Sequence, residues 1–232
     1  MKLICLIPAR KNSKGIKNKN MKNFCGRPLI YWTFQIAKKC KFINKIILST
    51  DCKKIANYGK KNAIDVPFLR PKKIANDNSQ MIDVANHLKN YLEDKKESYD
   101  GMVILQPTSP LRSLDELNKG CKIFLKKKYD CVMSGIEVPH LYSNNLILSK
   151  KKNFFKIKKK FISLRQKIKK KYTSDGGCFF ITKMKKISKY IIGGRIHIVE
   201  IKKLYSIDIN DNFDFKFAEI LKKNAKKINS FI

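Results

Sequence analysis

The sequence is poor in arginine: only Arg10, Arg27, Arg70, Arg112, Arg165 and Arg195 stand among its 52 basic residues. Acidic residues number only 18 against those 52, which leaves a formal charge of +34. Such a charge invites a polyanionic partner, nucleic acid or an anionic membrane. Proteins that read bases and phosphates lean on the bidentate guanidinium, however, and the excess here is lysine, travelling with abundant isoleucine and asparagine. Codons for all three are AT-rich, so the charge reads as compositional drift, and no specific nucleic-acid partner is expected.

Other absences narrow the field further. No stretch approaches the roughly 20 apolar residues of a membrane span, so no membrane partner is expected. The opening run Leu3–Ile7 is too short for the hydrophobic core of a signal peptide. The seven cysteines (5, 25, 40, 52, 121, 131 and 178) form no CxxC pair or metal-ligand cluster. An odd, scattered set does not suggest a disulfide framework; it fits free thiols in a reducing, cytoplasmic compartment. The three histidines, His87, His140 and His197, are scattered, and His87 on a helix and His197 in a strand read as structural. No GxxxxGK[ST] loop is present, and no repeat.

What is present is a soluble globular composition, 43% hydrophobic and 30% charged over 232 residues. Short β-branched runs alternate with amphipathic segments. Leu3–Ile7 reads as a buried strand, followed by a Lys/Asn/Gly loop over 10–27. Leu29–Lys39 has helical periodicity, Lys45–Ser49 reads as a strand, and Asp51 is placed to cap a helix. Ser79–Leu92 reads as a helix and Met102–Leu105 as a continuous apolar strand. Ser113 with Glu116 forms a capping-box pattern, and Cys131–Ile136 is a further strand. The rhythm predicts a single α/β domain over 1–232, a mainly parallel Rossmann-like sheet with helices on both faces. It fails over about 139–171, a basic stretch that reads as a solvated hairpin or a projecting arm. Regular signals return at Gly177–Ile181, Ile196–Ile201 and Tyr205–Ile209, before a final helix from near Asn212 to Lys227.

In a parallel α/β sheet, ligands bind beyond the carboxyl ends of the strands. The loop after the first strand carries Arg10, Lys11, Lys14, Gly15, Lys17 and Lys19. Cations there neutralise phosphates while glycine permits close backbone approach, which suits a nucleoside triphosphate. In so basic a protein, a plain surface loop is the competing reading.

The motifs themselves carry more. Arg10-Lys-Asn12-Ser13-Lys14-Gly-Ile-Lys-Asn-Lys19-Asn20 resembles the ARGGSKGIPxKN signature of acylneuraminate cytidylyltransferases, with Lys11-Asn12 in place of Gly-Gly and Lys17 in place of Pro. Gly26-Arg27-Pro28-Leu29, Ser49-Thr50-Asp51, Pro67-Phe68-Leu69-Arg70-Pro71 and Ala75-Asn76-Asp77 resemble that family's following segments, in order. Gln106-Pro-Thr-Ser-Pro-Leu-Arg112 reproduces its QPTSPLR unchanged. Arg165-Gln166 resembles its RQ, Asp175-Gly-Gly177 its NGA, and Ser206-Ile207-Asp208-Ile209 its closing metal-binding IDID. The resemblance spans essentially the whole chain.

It implies attack by a sugar hydroxyl on the α-phosphate of CTP, with an acidic nine-carbon sugar as acceptor and Mg²⁺ as cofactor. By resemblance Arg10, Asn12, Ser13, Lys14, Lys19, Asn20, Arg70, Gln106 and Arg112 bind the nucleotide. Lys14, Arg10 and Asp208 are the catalytic candidates, and Gln106, Arg165, Gln166 and Asp175 would meet the sugar. Asp208 and Asn210 are the metal candidates. Asn210 stands where the family carries a second aspartate, and Asp211 beside it is the other possible donor. The stretch 139–171 resembles the family's dimerisation arm, implying a homodimer. The alternatives are a cytidylyltransferase for 3-deoxy-octulosonic acid, an inactive relative, or a basic nucleic-acid-binding protein with steeply salt-dependent binding.

Overall fold

A computed structural model describes residues 1–139, 148–151, 154–157, 170–174 and 177–225. In chain order the elements begin with β1 (Leu3–Pro8), a small ribbon of β2 (Asn23–Phe24) and β3 (Arg27–Pro28), and α1 (Leu29–Lys39). Then come β4 (Ile43–Ser49), α2 (Lys53–Lys61), α3 (Met81–Asp94), β5 (Gly101–Ile104), α4 (Leu114–Leu125) and β6 (Cys131–Glu137). The remainder is β7 (Leu148–Lys151), β8 (Phe154–Ile157), β9 (Tyr172–Thr173), β10 (Phe180–Lys183), β11 (Ile196–Glu200) and α5 (Asn212–Lys223).

The main sheet runs β11-β6-β10-β5-β1-β4, with β9 paired to the end of β6. Its strands are parallel except β10, which lies antiparallel between β5 and β6, and β9, antiparallel to β6. The pleat explains the unbroken apolar run of β1. Leu3, Cys5 and Ile7 enter one core with Ile30 and Phe34 of α1 and Leu117 and Phe124 of α4. Ile4 and Leu6 face the opposite way, onto Val84, Ala85 and Leu88 of α3. A fully buried side chain of this kind contributes about 1.5–3 kcal/mol, so covering both faces makes β1 intolerant of polar residues at every position. A third, smaller core of Ile16, Phe24, Leu29, Ile209 and Phe215 fastens α5 and the ribbon to the first loop.

Several local expectations are corrected. Asp51 does not cap α2; the helix begins one residue later with Cys52 as N-cap, because the Asp51 carboxylate accepts the Lys11 N–H at 2.7 Å. Ser113 does cap α4, but Glu116 does not complete a box, since its carboxylate accepts the Lys202 N–H at 3.3 Å. The α3 box is instead Gln80 with Asp83. Tyr205–Ile209 is not a strand but a 3-10 turn, Lys203–Ser206, running into extended chain. In the basic stretch, β7 and β8 form an antiparallel hairpin; the rest of 140–169 and Lys227 lie outside the described residues.

Candidate active site

The connection after β1 leads to β4 on one side, while the connection after β5 leads to β6 on the other. Neighbouring strands whose connections diverge leave a crevice beyond their carboxyl ends. A cleft of about 490 Å³ opens there, between the loop after β1, the loop after β5, the segment 70–84 and the segment 208–210.

The first loop is pinned at several points. Ala9 N–H donates to the Ser49 carbonyl at 2.9 Å, and Asn20 Nδ2 donates to the Arg10 carbonyl at 2.9 Å. Lys19 Nζ donates to the Ile209 carbonyl at 2.7 Å. Gly15 packs so tightly on Asn210 that no side chain fits there: a Cβ would meet the Asn210 carbonyl oxygen at 2.0 Å. Burial lowers the pKa of Lys19, opposed by the nearby Asp208 charge.

Arg10, Ser13, Lys14, Lys19, Asn20 and Arg70 all line the cleft. Arg70 is 6% exposed. Its Nε donates to Ser49 Oγ at 3.1 Å, and its other end donates to the Ser49 carbonyl. Burial pulls its pKa down to about 10, with Asp51 working the other way, so the guanidinium stays charged at neutral pH. Arg10 NH1 reaches across the cleft to Asp77 Oδ1 at 2.8 Å and to the Asn76 carbonyl at 2.8 Å.

The opposite wall is built by the QPTSPLR loop. Gln106 and Thr108 line it, and the Thr108 carbonyl accepts the Ile209 N–H at 2.9 Å. That bond, with Ile209 fully buried, puts Asp208 on the cleft wall. Burial raises the Asp208 pKa, offset by the neighbouring Thr108 and Asn210 side chains and by Lys19. Asp211 is occupied elsewhere. It is the N-cap of α5, accepting the Asp214 N–H at 2.9 Å, while the Asp214 carboxylate accepts the N–H groups of Asn210 and Asp211 at 2.8 and 3.2 Å. Asn210, not Asp211, therefore lines the cleft. Asp208 and Asn210 offer one carboxylate and one amide oxygen. No group of three or more His, Cys, Asp or Glu poised for a metal occurs among the described residues. A donor set this small fits Mg²⁺, which binds through one or two carboxylates together with substrate phosphates.

Two of the nucleotide-binding candidates do not line this cleft. Asn12 is exposed and does not line the cleft. Arg112 is buried behind it: its Nε donates to the Cys178 carbonyl and its NH2 to the Gln106 carbonyl at 2.8 Å, so it braces the loop that carries Gln106. Arg165, Gln166 and Asp175 lie outside the described residues. The structure adds Thr108 to the wall and gives Asp77 a role as partner of Arg10. The Ala75-Asn76-Asp77 segment was the available signal for Asp77, and the QPTSPLR motif, which contains Thr108, the signal for that residue.

Known proteins resemble the chain in sequence and in fold. The cytidylyltransferase family profile matches residues 4–229. The chain is 28% identical to an N-acylneuraminate cytidylyltransferase of Escherichia coli over 99% of its own length, spanning 55% of that relative. It is 26% identical to a pseudaminic acid cytidylyltransferase of Campylobacter jejuni, covering 96% of this chain and 97% of that one. A CMP-N,N'-diacetyllegionaminic acid synthase of Legionella pneumophila is 32% identical over 53% of each chain. In fold, it superposes on a CMP:2-keto-3-deoxy-manno-octonic acid synthetase complexed with CTP, with a TM-score of 0.72, at 11% identity and over 97% and 100% of the two chains. A 4-diphosphocytidyl-2C-methyl-D-erythritol synthase of Anaerococcus prevotii gives 0.64 at 13% identity, over 96% and 99%. A Rossmann-like nucleotidyltransferase sheet with a cationic cleft at its switch point defines the class. The chain belongs to the cytidylyltransferase family.

Proposed function

We propose that the protein transfers CMP from CTP to the anomeric hydroxyl of an acidic nine-carbon sugar of the nonulosonic type, releasing pyrophosphate, in the synthesis of surface glycans. The observation that carries this reading is the cleft itself: Arg10, Lys14, Lys19 and Arg70 face Gln106 and Asp208 across one space. The names of the three relatives above supply the sugar class.

The sugar oxygen attacks the α-phosphorus, forming one P–O bond. The bond to the β-phosphate oxygen breaks, pyrophosphate leaves with its electron pair, and the hydroxyl proton is released. Such transfers need little covalent help from the protein; alignment and charge neutralisation supply most of the acceleration. Arg10, Lys14 and Lys19 take the phosphates, with Lys14 at the α-phosphate, and Ser13 offers a hydroxyl beside them. Asn20 and Arg70 meet the cytidine end. Gln106 stands at the junction of nucleotide and sugar, and Arg112 holds it there from behind. Mg²⁺, held by Asp208 and Asn210, would neutralise charge on the triphosphate. Arg165, Gln166 and Asp175 complete the sugar site, and a guanidinium suits the sugar carboxylate. The arm at 139–171 makes the protein a homodimer. A cytoplasmic location matches the free thiols found at all seven cysteines.

The test follows the label. With CTP labelled at the α-phosphate and an acidic nine-carbon sugar, the label must appear in an acid-labile CMP-sugar. Label recovered only as free CMP, or only in a nucleic-acid product, would overturn the proposal.

A further inference from the structure

A second cleft, of about 490 Å³, lies behind the QPTSPLR loop, between the turn Cys25–Arg27, helix α1 and the end of α5. Basic clefts are expected in a protein of charge +34, so charge alone means little. This one differs in its balance. The catalytic cleft carries Asp77 and Asp208, the cleft behind the first loop carries Asp51, and that beside Tyr99 carries Glu93 and Glu97. Here Arg27, Lys39, Arg112 and Lys222 converge with no carboxylate among the lining residues.

Two of those cations are held at a cost. Arg112 is 4% exposed, and its NH1 is buried with no hydrogen-bond partner among the described residues. An uncompensated donor on a buried charge is expensive to maintain. Lys222 is half-buried; its pKa is lowered first by burial and also by Lys39, a second cation nearby. No salt bridge to Lys222 or Arg112 occurs among the described residues.

The aromatic residues of the cleft narrow the ligand. Lys222 Nζ sits over the Trp32 ring at 4.3 Å, and Arg27 over Tyr31 at 5.5 Å. The Trp32 indole N–H is taken by the Phe24 carbonyl at 3.0 Å. These rings hold the cations in place, and the face that each cation covers is closed to a base. We propose that this cleft is a second ligand site, separate from the catalytic one, for a compact oxyanion of the phosphate or pyrophosphate type. An occupant would neutralise the charge of Arg112, the residue that braces Gln106.

Trp32 is the single tryptophan of the chain, so its fluorescence reports this site directly. The full-length protein is titrated with inorganic phosphate and with pyrophosphate, against sodium chloride at matched ionic strength, and phosphorus NMR line broadening gives a second readout. The expected result is a saturable change at millimolar anion or below, weakened tenfold or more by Arg27→Gln and by Lys222→Gln, and retained in Lys14→Ala. In Lys14→Ala, the Trp32 response to CMP should be no stronger than that to phosphate. A response equal to that of sodium chloride would overturn the proposal. So would line broadening that survives both cleft variants but is lost in Lys14→Ala, which would assign the anion to the catalytic cleft.

Discussion

Gly15 and Asn210 are in backbone contact: a Cβ on Gly15 would lie 2.0 Å from the Asn210 carbonyl oxygen and 3.1 Å from its carbonyl carbon. The loop proposed to cradle the phosphates and the segment proposed to hold the metal therefore have one fixed separation, reinforced by the Lys19 bond to the Ile209 carbonyl at 2.7 Å. Gly15→Ala must push the two apart, because the obstructing atoms are backbone. Overpacking of this sort costs roughly 1–3 kcal/mol. Turnover is expected to fall at least tenfold with a measurable drop in Tm, while a Gly26→Ala control should leave turnover intact, because a Cβ there meets nothing within 4 Å, although its φ of +84° carries a strain of its own.

Lys14 separates chemistry from stability. It is exposed and lines the cleft, so its loss removes no packing. Lys14→Ala should lower kcat by about two orders of magnitude or more, the scale of losing one charge-stabilising donor. Circular dichroism and Tm should match the wild type; a near-normal rate would remove Lys14 from its assigned role.

Asp77→Asn frees Arg10 from its 2.8 Å ion pair. With side chains 28% and 48% exposed, the pair contributes little to folding, about 0–1 kcal/mol. Steady-state kinetics should show kcat/KM for CTP falling by up to about a hundredfold, the scale of a 1 Å misplacement, with Tm unchanged. Equal losses in stability and activity would instead make Asp77 a folding residue.

Asp208 gives a prediction of opposite sign for stability and function. Burial raises its pKa in the folded state, so the folded protein binds this proton more tightly than the unfolded chain does. The stability it contributes is fullest below the unfolded pKa and is lost as pH rises through the folded one. At neutral pH the buried charge is a burden, and Asp208→Asn should raise Tm in metal-free buffer while abolishing turnover. A pH series of thermal melts should show the Tm advantage of the variant shrinking as pH falls, because the wild type takes up the Asp208 proton there and loses the burden. A lower Tm at neutral pH would contradict the burial argument.

The sequence shows the parallel sheet because β1 and β5 are continuous apolar runs, and a strand buried on both faces leaves that signature. It hides the antiparallel β10, since an antiparallel neighbour needs no helical crossover and Phe180–Lys183 reads the same in either direction. Asp51 looks like a helix cap, and nothing local shows that the Lys11 N–H, 40 residues earlier in sequence, claims its carboxylate. The cleft was legible where one loop carried it, from Arg10 to Asn20. That Arg112 lies behind the cleft and not on its wall was not legible, because a motif gives the order of residues but not which way a side chain turns. Asp211 likewise had two possible uses, and only the α5 cap decides between them.

The central claim is tested most directly by pyrophosphate release from CTP and Mg²⁺, with N-acetylneuraminic, legionaminic and pseudaminic acids offered separately to the folded protein. The account predicts stoichiometric release with at least one of them and none without sugar. Silence with all three, in protein shown to be folded, would contradict it and point to an octulosonate acceptor or an inactive relative limited by Asn210.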